Sequence, residues 1–253
     1  MKRIMLVILS IFILFGCEEK LDTEKILEDV KKEMSDLTSL KLNADLDVSL
    51  SGSEEGLLNI PVKMVIIQEG LNTNRLKSYL ETSVSFLGQE AIMKEWTVDG
   101  TVYKEEDGVK TYSYEDTAEN LDSAAFFASF FELKEADSFE ARKDGEDIVL
   151  STVIENDDLN SLMSAIFNSA EFSFANPIAI DIIISEDDLI KGMNFDFEMN
   201  FEGMGTFTIG AEMSLSEYDE AYIPYFDPVE FNDEGSYEAG YVYGDYDITY
   251  DQI

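Results

Sequence analysis

The chain has no histidine and only one cysteine, Cys17, among its 253 residues. Without histidine it can form neither a Ser–His–Asp nor a Cys–His catalytic relay, and it has no imidazole ligand for a metal ion. With a single cysteine it can form no internal disulfide, so an exported domain would be held together by its core alone. These absences exclude the commonest catalytic relays of hydrolases and the class of small domains that are stabilised by disulfides.

Positive charge is also scarce, because 17 Lys and Arg face 54 Asp and Glu, for a formal net charge of −37. A surface this negative repels phosphate backbones, so we expect no nucleic-acid partner. However, 45% of the residues are hydrophobic and 12% are aromatic, which is too apolar for a chain kept disordered by its charge. The length therefore predicts one large domain or two small ones with a sizeable core.

The start of the chain has the layout of an export signal. Met1–Arg3 is a short basic region, Ile4–Phe15 is an almost unbroken apolar run, and Gly16 and Cys17 follow directly. Such a run is too short for a membrane span, which needs about 20 apolar residues. A small residue immediately before a lone cysteine resembles the lipobox of bacterial lipoproteins. The resemblance implies that residues 1–16 are a cleaved signal peptide and that Cys17 is acylated.

Acylation would make residues 17–21 a lipidated tether on the outer leaflet of the bacterial cytoplasmic membrane. A diacylglycerol with a further amide-linked chain gives the multiple attachment that stable anchoring requires. We expect the membrane to be a partner through this anchor only, since the acidic body is repelled by anionic headgroups. The anchored protein is expected to be a monomer at the cell surface.

Residues 22–224 are predicted to form one domain that begins with an amphipathic helix at Leu21–Leu40. The apolar stripe of this helix consists of Ile26, Val30, Met34 and Leu37. Alternation with a period of two, bounded by turn residues, then predicts a series of strands. They are Leu42–Leu50, Leu58–Ile67, Arg75–Phe86, Ile92–Val98, Thr101–Tyr103 and Val109–Tyr114, with hairpin turns at Asp99-Gly100 and Asp107-Gly108.

Two more helices are predicted in the middle of the chain, at Asn120–Leu133 and Asp157–Ala170, with a hairpin at Phe139–Ile154 between them. Four phenylalanines of the first helix exceed one helical stripe, so some must face a partner, a cavity or solvent. They are Phe126, Phe127, Phe130 and Phe131.

The last third of the chain returns to strands. Pro177–Ser185 reads as a buried strand, and the segments Met193–Phe201 and Phe207–Leu215 alternate as the clearest antiparallel hairpin of the chain. Beyond Pro224 the periodicity fades into an acidic, tyrosine-rich tail, residues 225–253. This tail could be a docking strand or a disordered brush, and the sequence leaves both open.

Together these elements predict an α+β half-barrel, in which a curved antiparallel sheet has helices covering its concave face. The layout resembles the LolA/LppX-like lipoproteins and related uncharacterised lipoproteins of Gram-positive bacteria. The resemblance is carried by the helix Leu21–Leu40 with its following strand, the Trp96–Tyr114 hairpins and the hairpin Met193–Leu215. It implies an apolar cavity that holds acyl chains or a lipoprotein's lipid. The acidic tail departs from the family pattern.

The cavity would be lined by apolar residues of the sheet and of the inserted helices. We expect this lining to include Leu46, Val48, Phe127, Phe130, Met163, Phe167, Phe195, Phe197, Met199, Phe207 and Met213. Methionine is adaptable and polarizable, so such a stripe suits a variable apolar guest. The same stripe also fits a plain core, because core and cavity wall share one face in this fold.

Motifs for catalysis are missing. Gly203, Gly205 and Gly210 have the wrong spacing for a dinucleotide fingerprint, and there is no Walker A, Gly-x-Ser-x-Gly or Ser-x-x-Lys motif. We therefore predict no enzyme, no cofactor and no metal site, and a lipid-anchored protein that binds a lipid or another hydrophobic ligand. The alternative is an anchored scaffold or sensor module that acts through protein contacts and is calcium-assisted.

Calcium takes hard oxygen ligands, and three acidic clusters offer them. They are Asp157-Asp158, Glu186–Asp188 and the set Asp245, Asp247 and Asp251. None fits the EF-hand loop, which needs a glycine at its sixth position and a glutamate at its twelfth. Helix N-caps are the favoured interpretation of the first two clusters, and a solvated acidic tail is that of the third.

Overall fold

The computed structural model describes residues 21–51, 58–73, 75–114, 123–132, 136–156, 176–201 and 205–233. The α-helices bounded within these ranges are α1 (Thr23–Asp36) and α2 (Ser123–Glu132). The strands are β1 (Ser39–Ser51), β2 (Leu58–Glu69), β3 (Lys77–Phe86), β4 (Gln89–Val98), β5 (Thr101–Glu106), β6 (Val109–Tyr114), β7 (Glu140–Asp144), β8 (Asp147–Ile154), β9 (Ile178–Ile184), β10 (Ile190–Phe201), β11 (Gly205–Ser216) and β12 (Asn232–Asp233). The helix predicted at Asp157–Ala170 lies outside the described residues. None of the helices that are described is long and apolar enough to cross a membrane.

All twelve strands form one sheet, in the order β12-β6-β5-β4-β3-β2-β1-β11-β10-β9-β8-β7. The two halves of the chain join where β1 pairs with β11. The order ends at β12 on one side and β7 on the other, so the sheet is open within the described ranges. Every pair is antiparallel except β12 with β6, which is parallel. The predicted antiparallel sheet is therefore confirmed, whereas its concave face and the helices covering that face stay predictions.

Helix α1 begins where its sequence provides a cap. The Asp22 carboxylate accepts a hydrogen bond of 3.2 Å from the backbone N–H of Lys25, which satisfies one of the free donors of the first turn. The predicted apolar stripe is buried, and Val30 and Met34 are almost completely excluded from solvent. The helix thus lies with this stripe against the sheet.

The predicted end of this helix at Leu40 is wrong, because α1 ends at Asp36. Both the backbone N–H and the hydroxyl of Thr38 donate to the Asp219 carboxylate, at 2.7 and 2.8 Å. The Thr38 carbonyl accepts from the backbone N–H of Gly70 at 2.8 Å. These partners are distant in sequence, and they favour an extended chain at a point where local periodicity favours helix.

Tight turns connect the strands β3 to β6. Asp99-Gly100 and Asp107-Gly108 have positive φ at both positions, as two-residue hairpin loops require, so both predicted turns are confirmed. Leu87-Gly88 forms a third turn of this kind, with φ of 50° and 78°. Leucine is not a typical turn residue, so Leu87-Gly88 was not predicted as a hairpin turn.

The acidic cluster at Glu186–Asp188 does not cap a helix, which corrects its favoured interpretation. It forms the turn between β9 and β10, where the backbone N–H of Asp188 donates to the carbonyl of Ser185 at 3.1 Å. Asp188 has a φ of 58°, a conformation that aspartate tolerates better than most residues. Strand β9 ends at Ile184, one residue before the predicted end at Ser185. Strand β10 starts at Ile190, three residues before the predicted start at Met193.

One face of the sheet carries the larger core, which we name the helix-face cluster. It contains the buried stripes of α1 and α2 together with alternate residues of β1 and of β8 to β11. Because successive residues of a strand point to opposite faces, this cluster uses alternate strand residues, except where a register shift in β10 separates Ile190 from Met193. Its most buried large side chains are those of Val30, Met34, Leu40, Leu71, Phe127, Phe131, Leu150, Ile154, Ile182, Ile184 and Ile190.

The opposite face carries a smaller core, which we name the outer-face cluster. It consists of Ile67, Tyr79, Trp96, Ala221 and Phe231, with Val65, Tyr103, Tyr112, Ile223 and Phe226 packed around them. Residues 221–233, which we name the strap, cross the sheet here and end in β12. The part of the predicted tail up to residue 233 thus contacts the domain, whereas residues 234–253 lie outside the described ranges.

Candidate functional site

An apolar strip lies on the helix face of the central strands β1, β10 and β11. We define it as Leu46, Val48, Phe195, Phe197, Phe207, Ile209 and Met213, all of them half-buried. Register brings them together, because Val48 lies opposite Ile209 and Ile209 lies opposite Phe197. The rings of Phe195 and Phe197 are stacked, with centroids 6.0 Å apart and planes at 25°.

Burial decreases along β1 from the part of the face that the helices cover. Leu40, Leu42 and Ala44 are at most 4% exposed, whereas Leu46 and Val48 further along the same strand are half-buried. The residues at strip positions of these central strands are all apolar, and the acids of the strands alternate onto the other face. The apolar face therefore continues past the part that α1 and α2 bury.

The helix α2 is positioned by a buried amide that sequence reasoning missed. Gln68 of β2 is 3% exposed, and its side-chain oxygen accepts from the backbone N–H of Ser123 at 2.9 Å, at the start of α2. An oxygen at this place satisfies one of the free N–H groups of a helix N-terminus. A lone glutamine in an alternating strand gives no signal of such a role, because its partner is far along the chain.

The residues predicted to line a cavity fall into three groups. Leu46, Val48, Phe195, Phe197, Phe207 and Met213 belong to the apolar strip. Phe127 and Phe130 of α2 are only 1% and 2% exposed within the helix-face cluster. Met199 lies on β10 opposite Phe207, and Met163, Phe167 and Cys17 lie outside the described residues. That these residues line a cavity, and that Cys17 is acylated, stay predictions.

Aromatic rings dominate the outer-face cluster. Trp96 packs against Tyr79, Phe226 and Phe231, with ring centroids 5.2, 5.3 and 5.9 Å away. Its indole N–H donates to the carbonyl of Pro224 at 3.2 Å. The Trp96 side chain is thus held both by ring contacts and by a directional bond to the strap.

Charged groups fix the far end of the strap. The Lys110 ammonium lies 2.5 Å from the Glu230 carboxylate, 3.9 Å from the Glu105 carboxylate and 5.5 Å from the centre of the Phe231 ring. The hydrogen bond to Glu230 raises the pKa of Lys110 above its ordinary value. On the same face, burial and a hydrogen bond to Glu81 raise the pKa of Tyr79.

Acidic side chains do not converge on a metal site in the part of the chain that the structure describes. Asp188 nevertheless has a raised pKa, first because of burial and then because Asp29 and Glu33 of α1 lie near it. Lys25 opposes this shift. Of the clusters weighed for calcium, the other two lie outside the described residues.

No protein-family model and no curated protein matches the chain. Several solved structures are similar in fold. LprF from Mycobacterium bovis is 10% identical with a TM-score of 0.47, over 82% of this chain and 97% of that one. A LolA superfamily protein from Nitrosomonas europaea is 6% identical with a TM-score of 0.29, over 81% and 96%.

A DUF1329 family protein from Desulfovibrio piger is 8% identical with a TM-score of 0.29, over 81% of this chain and 95% of that one. Likeness at this level concerns the fold alone and says nothing of a ligand. The functional conclusion therefore depends on the geometry of the apolar strip.

Proposed function

We propose that this protein is a lipid-anchored, extracytoplasmic binding protein without catalytic activity. Its ligand would be a lipid or an acylated molecule, held against the apolar strip. The observation that carries this proposal is the continuation of the apolar face beyond the core residues that pack with α1 and α2, where seven aliphatic and aromatic side chains are half-buried. An apolar guest would remove this surface from water at a gain of roughly 25 cal/mol per Å².

The chemistry of the strip favours a hydrocarbon over a polar ligand. Its side chains offer no charge and no hydrogen-bonding group, whereas sites for polar ligands contain a few convergent polar atoms. Stacked Phe195 and Phe197 together with Met213 provide broad, polarizable contact surface. An acyl chain needs only such contacts.

Anchoring through Cys17 would keep this strip near a source of acyl chains. Helix α1 begins at Thr23, so an extended tether from Cys17 would span roughly 20 Å at about 3.5 Å per residue. A domain held so close to the bilayer could exchange lipid with its surface. The acidic exterior would keep the body from settling on anionic headgroups.

Mass spectrometry of the protein purified from bacterial membranes tests the proposal. We expect a lipid to co-purify, and we expect the delipidated protein to bind cis-parinaric acid saturably, as read by probe fluorescence. Phe197→Asp places a charge in the strip and should weaken probe binding by about tenfold or more, since an unpaired charge opposes apolar burial.

Val153→Asp is the matched control for this variant. Val153 is 51% exposed and alternates onto the other face of β8, so its substitution should leave probe binding unchanged. Circular dichroism and thermal unfolding would confirm that both variants are folded. Absence of a co-purifying lipid together with no saturable probe binding would refute the proposal.

A second candidate is an anchored module that acts through protein contacts. The strap favours it, because Tyr222, Tyr225 and Val229 are 77%, 90% and 89% exposed on a segment whose other side chains contact the sheet. Exposed tyrosines are typical of protein interfaces. A photo-crosslinking residue at position 225 should then capture one defined partner in cells, and the same residue at position 153 should not.

A further inference from the structure

Two adjoining hollows lie on the outer face, on the side of the sheet opposite the apolar strip. The first, of about 300 Å³, lies between the strap and the strands β3 to β6 and is partly open to solvent. The second, of about 290 Å³, is lined by Glu90, Ile92, Asp107 and Gly108. Lys94 and Glu105 line both hollows and form the border between them.

The carboxylates that line the first hollow already have partners. Glu105 and Glu230 lie 3.9 and 2.5 Å from the Lys110 ammonium. The Asp227 carboxylate accepts from the backbone N–H of Val229 at 3.1 Å. Each of these three carboxylates therefore has a hydrogen-bonding or ionic partner, although the two lysines of the lining do not balance its three acidic groups.

Lys94 is the exception in this hollow. Its side chain is half-buried and makes no hydrogen bond or ion pair with any residue in the described ranges. In register Lys94 faces Glu81 on β3 and Glu105 on β5. Glu81 instead accepts from the Tyr79 hydroxyl at 2.5 Å, and Glu105 is paired with Lys110. The ammonium of Lys94 thus lies at the border of two cavities without a direct ion pair among the described residues, although these two carboxylates lie on the neighbouring strands.

Apolar walls stand beside this ammonium. Trp96 and Phe226 are stacked, with their planes at 28°, and both line the first hollow together with Phe231. Rings of this kind favour the flat face or edge of another ring. A free cation next to an aromatic wall matches a ligand with an acidic group at one end and an apolar body at the other.

We propose that the first hollow binds a small amphipathic acid, with its carboxylate paired to Lys94 and its ring or short apolar body against Trp96 and Phe226. A volume of about 300 Å³ lies at the lower end of ligand pockets and suits a single ring with a short chain, not a diacyl lipid. The acidic exterior opposes the approach of an anion, so the dissociation constant should be on the order of 0.1–1 mM.

Trp96 provides a local reporter, because it is the only tryptophan of the chain. The probe is 4-phenylbutyrate, and its neutral counterpart is 4-phenylbutanamide, which has the same ring and chain without the charge. We expect the acid to change the Trp96 emission saturably. The amide should bind about tenfold more weakly, because a charge-assisted hydrogen bond to Lys94 is lost.

Lys94→Gln should weaken binding of the acid by about tenfold and make acid and amide nearly equal. Lys63→Gln is the matched control, since Lys63 is an exposed lysine of the same face that pairs with Asp45 at 3.7 Å, outside the hollow. It should leave both affinities unchanged.

Two results would overturn this inference. One is the absence of a saturable change in Trp96 emission up to about 10 mM acid. The other is an unchanged preference for the acid in Lys94→Gln. The Phe197→Asp variant separates this site from the proposed lipid site, because Phe197 lies on the other face of the sheet and its substitution should leave the Trp96 response intact.

Discussion

The two faces of this sheet are covered by different means. On the helix face, the aliphatic and phenylalanine stripes of α1 and α2 are buried in one cluster with residues of the strands. The outer face is covered by the strap, which arrives from the far end of the chain and packs aromatic rings around Trp96. Amphipathic stripes suffice for the first face, whereas the second depends on individual pairs of residues.

Several directional contacts hold the strap along its length. The Glu69 carboxylate accepts from the backbone N–H of Ile223 at 2.8 Å, Trp96 donates to the carbonyl of Pro224, and Lys110 pairs with Glu230. A peripheral segment with few buried apolar side chains and several solvent-accessible polar contacts unfolds locally more easily than a large core. We therefore expect the strap to detach before the helix face unfolds.

The largest expected effect comes from the helix face. Phe127 is 1% exposed in α2, and Phe127→Ala should lower the free energy of unfolding by about 3–4 kcal/mol, through lost burial and the cavity that remains. Urea unfolding followed by circular dichroism measures the loss. Phe86→Ala, at a side chain that is 44% exposed, should change stability by less than about 0.5 kcal/mol. Equal losses in the two variants would contradict the assignment of Phe127 to the core.

The next effect tests the strap. Phe231 is 6% exposed and its ring contacts Trp96 and Tyr103 at centroid distances of 5.9 and 5.4 Å. Phe231→Ala should lower the free energy of unfolding by about 2–3 kcal/mol. It should also shift the Trp96 emission to the red in the absence of denaturant, because water then reaches the indole. Val229→Ala, in the same strap but 89% exposed, should do neither. An unshifted emission in Phe231→Ala would mean that the strap is held without this ring.

The difference between the two faces also decides what the sequence could predict. Strands such as β1 and β11 follow from their alternation, and the turns at Asp99-Gly100 and Asp107-Gly108 follow from residues that accept positive φ. The strap could not be predicted, because periodicity fades beyond Pro224 and the partners of the strap lie more than a hundred residues away. Its parallel pairing with β6 has no local signal either.

The candidate site shows the same division. Alternation placed Leu46 and Val48 on one face with Phe195 and Phe197, and the register confirms that they share it. The exposure of each of these side chains depends on how other parts of the chain pack on the sheet. The sequence of a strand alone carries no information on this packing. Likewise, the first hollow exists only because the strap packs across the strands β3 to β6.

A smaller effect is expected where the chain enters the strap. Asp219 accepts two hydrogen bonds from Thr38, and these hold the pKa of its carboxyl below the ordinary value. Asp219→Ala should cost about 1 kcal/mol of stability at neutral pH through the lost hydrogen bonds, in addition to a strain independent of pH because alanine accepts the φ of 58° at this position poorly, as measured by urea unfolding. Since the folded pKa is lowered, the contribution of Asp219 is present above its ordinary pKa and is lost as the pH falls through the lowered value.

The exposed neighbour Glu220 provides the control for this variant. Glu220→Ala should leave both stability and its pH dependence within about 0.5 kcal/mol of the parent protein. If the loss of stability in Asp219→Ala stays the same in strong acid, the carboxylate charge has no part in holding Thr38.

The smallest effect has the opposite sign and belongs to the helix face. Burial, with Asp29 and Glu33 nearby, raises the pKa of Asp188, so its charge costs free energy in the folded protein at neutral pH. Asp188→Asn should therefore raise stability by about 0.5 kcal/mol at pH 7. The gain should vanish as the pH falls through the raised pKa toward the ordinary value, because both states are then protonated. Asparagine also accepts the φ of 58° at this position.

Asp187→Asn in the same turn controls for the loss of one negative charge from the whole molecule. If both variants stabilise equally, the gain comes from the overall charge and not from the contact with α1. If only Asp188→Asn stabilises, and only above the raised pKa, acid strengthens the contact of α1 with this turn. A further fall in pH, through the lowered pKa of Asp219, weakens the hold of Asp219 on Thr38. Acid would then act in opposite directions on two contacts of the chain, because burial and nearby acids raise the pKa of the Asp188 carboxyl, whereas hydrogen bonds from Thr38 lower that of Asp219.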